Sequence, residues 1–409
     1  VLKQADANPQ NTSEKGLAEF VALLALLISL LALAIDAILP ALAFMGDELA
    51  VQSPNDVQWF ILALFIGLGF GQLVYGPLSD SVGRKPAIYA GLVLFILGTI
   101  LCIVSWSFAS MLAGRLLQGF GVAGPRIVST ALIRDKYEGR MMARIVSLTM
   151  TVFILVPAVA PALGQGVLYI AHWRWIFGLL LSLGLIALVW FAFRQEETLN
   201  PESRKPFALD HLSAAAREAL KNRFASGYAI ASGLIYAPFL GYLATAQQVL
   251  QEQYQTGELF PYYFGLIALS VGASSFSNAK LVLQFGMRRL SMFALLSLCV
   301  LAFGFLPIAW AYAGEPPLWM FLAWVITSFF SIGMLFANFN AMAMEHVGHI
   351  AGVAAAVIGT ISTVLAVIFG GFIAQLYDGT ILSVVAGFAL MGTLSLATMY
   401  AVEKSPVRR

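Results

Sequence analysis

Twelve separate stretches of this chain are long and apolar enough to cross a bilayer, near 17–44, 57–80, 86–106, 108–133, 141–170, 173–193, 224–250, 260–282, 287–312, 317–344, 350–376 and 380–402. A crossing helix needs about 20 mostly apolar residues, whereas a barrel strand needs only about 10 alternating ones. Runs of this length select helices, because backbone amides in hydrocarbon find no water to bond. Composition agrees: of 409 residues, 60% are hydrophobic and only 11% charged, against roughly 25% charged in soluble domains. Such a chain cannot cover a water-facing surface. The expected fold is an all-α membrane protein. The first run carries an acid and is too long for a cleaved signal, so it is read as a retained span.

The longest polar stretch runs from Arg194 to Arg223 and divides the spans into two groups of six. The expected division is a tail over 1–16, a first bundle over 17–193, a linker over 194–223, a second bundle over 224–402 and a tail over 403–409. Within the linker, Leu209 to Leu220 reads as a short amphipathic, interfacial helix. The halves repeat weakly. A basic turn from Gly76 to Pro86 follows span 2, and Gly286-Met287-Arg288-Arg289 follows span 8. Parallel six-span repeats place a substrate site at their interface near the midplane. The expected architecture is thus two pseudo-symmetric six-helix bundles around a central cavity.

Basic residues fix the orientation. With a cytoplasmic N-terminus, 20 of the 23 Lys and Arg fall in cytoplasmic segments. They include Lys3 and Lys15, the pair Arg84 and Lys85, Lys205 and others of the linker, Arg288 and Arg289, and Arg408 and Arg409 at the end. Only Arg174 is left in an outer loop, among acids such as Glu48, Asp56 and Glu258. An even span count then puts both termini in the cytoplasm. One missed span would invert half the chain and destroy this asymmetry.

Ionisable groups inside a span cost about 2.5–3.5 kcal/mol at a helix centre, so the few present carry weight. Asp36 is the only acid well inside a predicted span; Arg115 and Arg126 are the only such bases. Counting about 1.5 Å per residue from each span centre puts Asp36 and Arg115 in one layer of the outer half. Arg126 falls in the inner half. A carboxylate in an apolar cavity resists ionisation, and a nearby guanidinium favours it. Separating the two would load a proton on Asp36; joining them would release it. A static buried ion pair is the plainer alternative. Met150, Phe153, Tyr236, Phe239, Phe336, Asn338 and Asn340, with Arg126, are candidates to line a greasy cavity, though each also suits plain helix packing. Pro40, Pro157 and Pro161 are expected to kink or unwind their helices.

Other chemistries are missing from the sequence. There is no Walker motif and no dinucleotide fingerprint. Glu345-His346 and His349 do not make a zinc-protease motif. Cys102 and Cys299 sit in apolar runs as small core residues, with no metal site or disulfide framework implied. No catalytic residue, cofactor or nucleic-acid partner is expected. A chain with no nucleotide site draws its energy from an ion gradient or from the substrate's own gradient.

These motifs resemble a known family. Gly76, Asp80, Gly83, Arg84 and Lys85 stand as in the signature loop between spans 2 and 3 of the major facilitator superfamily. Arg115-Leu-Leu-Gln118-Gly119-Phe-Gly121 is similar to its span 4 motif, whose arginine is associated with proton transfer in drug exporters. Pro157-Ala-Val-Ala160-Pro161-Ala-Leu-Gly164 resembles the span 5 motif of drug:proton antiporters, with Ala160 where that motif has glycine. Ile35-Asp36-Ala-Ile-Leu-Pro40, Ile133-Arg134-Asp135 and Trp173-Arg174-Trp175 look like the Bcr/CflA-type drug-resistance branch. The resemblance covers nearly the whole chain. It implies proton-driven export of drugs from a bacterial cytoplasm across the inner membrane, with the chain working as a monomer among protons, lipid and a small-molecule substrate. It also implies that Asp36 is the protonation site and that Asp80 and Arg84 form a charge relay locking the outward-facing state against span 11. An exporter of one metabolite, such as a sugar, siderophore or amino-acid derivative, is the nearest rival; an uptake symporter is a further one.

Overall fold

The computed structural model describes residues 14–204 and 209–404. Lys3, Lys205, Arg408, Arg409 and most of both tails lie outside the described residues. All twelve expected spans are helical. The first crossing is α1 (Glu14–Asp36), a one-turn 3-10 segment (Leu39–Ala41) and α2 (Leu42–Glu48). The first half continues with α3 (Trp59–Val82), α4 (Arg84–Ile103), α5 (Phe108–Lys136), α6 (Gly139–Ile170) and α7 (Arg174–Arg194). The linker holds α8 (Leu209–Lys221). The second half is α9 (Arg223–Gln247), α10 (Phe260–Phe285), α11 (Met287–Ala311), α12 (Leu318–Met344), α13 (Ala351–Gln375) and α14 (Leu382–Lys404).

The two halves pack alike. Helix α5 lies on α3 and α4 as α12 lies on α10 and α11, and α1 lies on α6 and α7 as α9 lies on α13 and α14. Two long seams join the bundles, α3 against α13 and α6 against α10. Even crossing numbers leave the start of α1, the end of α14 and α8 at one end of the molecule, here the terminal end; the other is the distal end. At the distal end Glu48 of α2 accepts from Trp173 Nε1 at 2.6 Å and pairs with His172 and Arg174, which ties the first crossing to α7.

Prolines behave in two ways. Pro40 stands in the 3-10 segment, where the first crossing breaks. Helix α6, by contrast, runs unbroken through Pro157 and Pro161, so of the kink or unwinding expected there, the unwinding does not occur. Neighbouring helices re-satisfy the freed backbone groups of a membrane proline, and α6 is flanked by both α1 and α10. Gly164 of α6 is required by this packing. A Cβ there would collide with the carbonyl oxygen of Ala37, the residue at the break.

Candidate functional site

Asp36 is the last residue of α1, at the point where the first crossing stops being regular. It is 4% exposed. Its carboxylate has no hydrogen bond and no ion pair among the described residues. Arg115 on α5 is fully buried and is held by neutral acceptors. Its Nε donates to the carbonyl of Phe60 at 2.7 Å. Its Nη1 donates to the carbonyl of Ala34 at 2.8 Å and to Gln118 Oε1 at 2.6 Å. Gln118 is fixed in turn by donating to Thr99 Oγ1 at 2.9 Å. The remaining nitrogen, Nη2, is buried without a partner. The guanidinium therefore sits in the layer of Asp36, two residues from it along α1, yet the two charges are not paired.

An aromatic cluster lies between the bundles. Tyr236 of α9 meets Phe336 of α12 edge-on at 5.3 Å, Phe239 at 5.6 Å and, across the interface, Phe65 of α3 at 5.9 Å. Phe239 meets Phe336 at 5.6 Å and Phe329 at 5.1 Å. Three of the expected cavity residues thus form one surface, joined by Phe65 and Phe329. The others are dispersed. Asn338 exchanges hydrogen bonds with Asn278 of α10 at 2.9 and 3.1 Å, a buried tie inside the second bundle. Asn340 and Met150 are exposed, and Phe153 and Arg126 are half-buried.

At the terminal end, the turn from α3 to α4 gathers five charged groups. Gly83 takes a left-handed φ of +117°. The buried Arg84 side chain pairs with Asp80, donates to Ser79 Oγ at 2.9 Å, and donates to Asp135 of α5 at 2.8 Å. Lys85 Nζ donates to the carbonyl of Ala192 at 3.3 Å. Glu197 of the linker accepts from the amides of Arg84 and Lys85 at 2.9 and 3.0 Å. Burial works to raise the Glu197 pKa, but the amides of Leu199, Arg84, Lys85 and Thr198 outweigh it and bring it below the usual glutamate value. The turn abuts α13. Gly76 faces Gly352 and Ala356, and Asp80 Oδ2 approaches Gly352.

The distal end is closed by neutral amides that sequence reading did not single out as a unit. Gln58 Nε2 donates to Gln248 Oε1 at 2.7 Å. Gln248 donates to the Pro54 carbonyl and to Asn55 Oδ1 at 3.2 and 3.1 Å. Asn55 donates to the carbonyls of Gln375 and Tyr377 at 3.1 and 2.7 Å, and Gln375 donates back to the Asn55 carbonyl at 3.0 Å. Both bundles are thereby joined above Asp36. No hydrogen bond or ion pair joins α5 to α12 among the described residues.

Two half-molecules meeting around an interior with a buried acid are the build of a solute carrier. The family model described as Major Facilitator Superfamily matches residues 24–371. The chain belongs to that superfamily. Its members are transporters, so this protein moves solutes across a membrane rather than converting them. The chain is 29% identical over 361 residues to "Uncharacterized MFS-type transporter YdgK" of Bacillus subtilis, covering 88% of each chain. It is 28% identical over 361 residues to "Bicyclomycin resistance protein homolog" of Haemophilus influenzae, covering 87% of this chain and 89% of the relative. "Multidrug resistance protein MdtL" of Escherichia coli matches at 30% over 210 residues, 51% of this chain and 52% of the relative. These relatives agree with the Bcr/CflA-type likeness. The fold is shared with the human organic anion transporter MFSD10 (TM-score 0.69, 18% identity, 94% of this chain and 99% of that one). It is shared too with the Escherichia coli xylose transporter XylE in a partially occluded inward open conformation (TM-score 0.75, 13% identity, 95% and 98%).

Proposed function

We propose that this transporter is a drug:proton antiporter, exporting drugs or other small amphipathic compounds by alternating access. In this reading it works as a monomer in a bacterial inner membrane, with both termini cytoplasmic. It needs no cofactor, since the proton gradient supplies the energy. One observation carries the reading: Asp36 is buried without a partner beside an arginine that keeps one buried nitrogen free.

The cycle follows from that pair. In this reading the terminal side opens while the distal amides are joined, and substrate enters there. Substrate and proton compete for the Asp36 region. Rocking the bundles parts Gln58 and Asn55 from Gln248 and Gln375 and opens the distal side. A proton arriving there loads Asp36 and displaces substrate. On return, approach of the Arg115 guanidinium favours the charged carboxylate, and the proton leaves to the terminal side. The Asp80–Arg84 turn against α13 serves as the latch that is broken and remade in each cycle.

The test is the pH inside proteoliposomes after adding unrelated cationic, neutral and anionic drugs. Wild type is expected to move protons opposite to several of them, and Asp36→Asn to move none while staying folded. Active accumulation by that variant at the wild-type level would remove Asp36 from coupling. A response to a single metabolite alone would favour the dedicated exporter.

A further inference from the structure

The unpaired charges of the interior are of both signs. Asp36 on α1 and Arg126 on α5 each lack an ion-pair partner among the described residues. Arg126 follows Arg115 by eleven residues, close to three turns, and so lies on the same face of α5; Tyr236 on α9 forms the aromatic surface with Phe239 and Phe336 and reaches Phe65 of the first bundle. The two charges stand at different levels. Arg115 reaches the carbonyl of Ala34, which fixes the level of Asp36. Arg126 follows eleven residues later, about 16 Å nearer the terminal end at 1.5 Å per residue.

This layout disfavours a ligand of one sign. A cation entering from the terminal side meets Arg126 before it meets Asp36. An anion is held at Arg126 and kept from the Asp36 layer. A molecule with charges of both signs, one at each end of an apolar or aromatic body, meets a complement at each level and stacks between them. We propose that the interior binds elongated dipolar amphiphiles, with the cationic end at Asp36, the anionic end at Arg126 and the body against Tyr236, Phe239 and Phe336. The proposal rests on the transporter reading only in taking this interior as the substrate site. It narrows the substrate class from amphipathic drugs to zwitterions of a given length.

The experiment uses the full chain in phosphatidylcholine nanodiscs and isothermal titration calorimetry. The probes are 4′-(aminomethyl)biphenyl-4-carboxylate, its two single-charge relatives biphenyl-4-ylmethylammonium and biphenyl-4-carboxylate, and the one-ring 4-(aminomethyl)benzoate. The two-ring zwitterion is expected to bind at least about tenfold tighter than either single-charge rod, the worth of one charge-assisted hydrogen bond. The one-ring zwitterion is too short to reach both poles and should lose that advantage. Arg126→Gln should erase the advantage over the cation and bind the cation no more weakly than wild type, which also shows that the variant is folded. Asp36→Asn should erase the advantage over the anion. Equal binding of cation and zwitterion to wild type, an Arg126→Gln variant that keeps the advantage, or no zwitterion binding at all would each overturn the proposal. Failures separate cleanly: drug-driven proton movement without a zwitterion preference removes this inference and spares the antiport reading, and a preference without proton movement does the reverse.

Discussion

Gly83 and Gly286 occupy matching places in the two halves, each between a second and a third span. Both take left-handed backbone, φ +117° and +77°, and both lead straight into a helix through an arginine-bearing first turn. Their surroundings differ. A Cβ on Gly83 would run into the Glu197 carboxylate, whereas one on Gly286 meets nothing within 4 Å. Arg84 is buried among Asp80, Ser79 and Asp135. Arg288 is about half exposed, 3.4 Å from Glu345 and 3.2 Å from Glu403. The repeat has kept the turn and built a clamp on one copy only. Glu197, on the chain that leaves the first bundle, closes that clamp, so the linker is anchored to the first half's turn.

The largest break in this asymmetry is Arg84→Ala. It strands Asp80 and Asp135, whose side chains keep 31% and 17% exposure, so the loss falls between the about 0–1 kcal/mol of an exposed pair and the about 3–5 kcal/mol of a fully buried one. Cys102 and Cys299 are both buried and free, one in each bundle, so thiol labelling during heating reports on each half when the other cysteine is replaced by Ala. The expected result is an earlier exposure of Cys102 with a smaller change at Cys299, together with slowed cycling at unchanged drug affinity. An affinity loss alone would contradict the latch. Next comes Gly83→Ala against Gly286→Ala. Both pay about 1–3 kcal/mol for a positive-φ extended backbone that only glycine adopts readily; only the first must also displace Glu197, so it should be the worse of the two in the same assay. Equal losses would mean that the Glu197 contact contributes nothing.

How much of this was legible beforehand follows from where each interaction sits in the chain. The spans were legible because a run of apolar residues is a local fact, and lipid enforces the helix. Asp36, Arg115 and the Gly76–Lys85 turn stood out for the same reason, as rare charges or rare glycines in local patterns. The partners of Arg84 were hidden, since Asp135 and Glu197 reach it across 51 and 113 residues; Asp135 read only as part of Ile133-Arg134-Asp135, and Glu197 only as part of a polar linker. The distal amides were equally hidden. Asn55, Gln58 and Gln375 are unremarkable polar residues until the fold brings three helices together. Neutral amides also explain the cavity residue that moved elsewhere: Asn338 finds Asn278, and nothing in either local sequence announces the pairing. The Asp36–Arg115 layer was legible from helix rise alone, but Ala34 and Phe60 carbonyls as the arginine's acceptors were not, because every residue offers one.

A smaller effect tests the clamp by charge. Glu197→Gln keeps one acceptor oxygen but loses the negative charge at the α4 N-terminus, worth about 0.5–1 kcal/mol. Its wild-type pKa is held below the usual glutamate value once folded. That stability is fully present above the ordinary glutamate pKa of about 4.3 and is lost as pH falls through the lowered folded value. Wild-type Cys102 protection should therefore weaken in that acid window more than the variant's does. Parallel curves would show that the amides hold Glu197 no better than water does.

The second turn supplies the smallest expected change and the sharpest control. Arg288 sits half in solvent, and its two carboxylate partners, Glu345 and Glu403, are themselves 46% and 29% exposed. Exposed pairs of this kind contribute about 0–1 kcal/mol, because water competes for the same groups. Glu403 also accepts from the Tyr228 hydroxyl, so it keeps a partner when Arg288 is removed. Arg288→Ala is thus expected to leave Cys299 protection and transport within a few tenths of a kcal/mol of wild type. The comparison with Arg84→Ala then isolates burial and the Glu197 anchor, since the turn backbone and the arginine are common to both. A large loss from Arg288→Ala would mean that the second half is latched too, through contacts made only in the state with the distal side open.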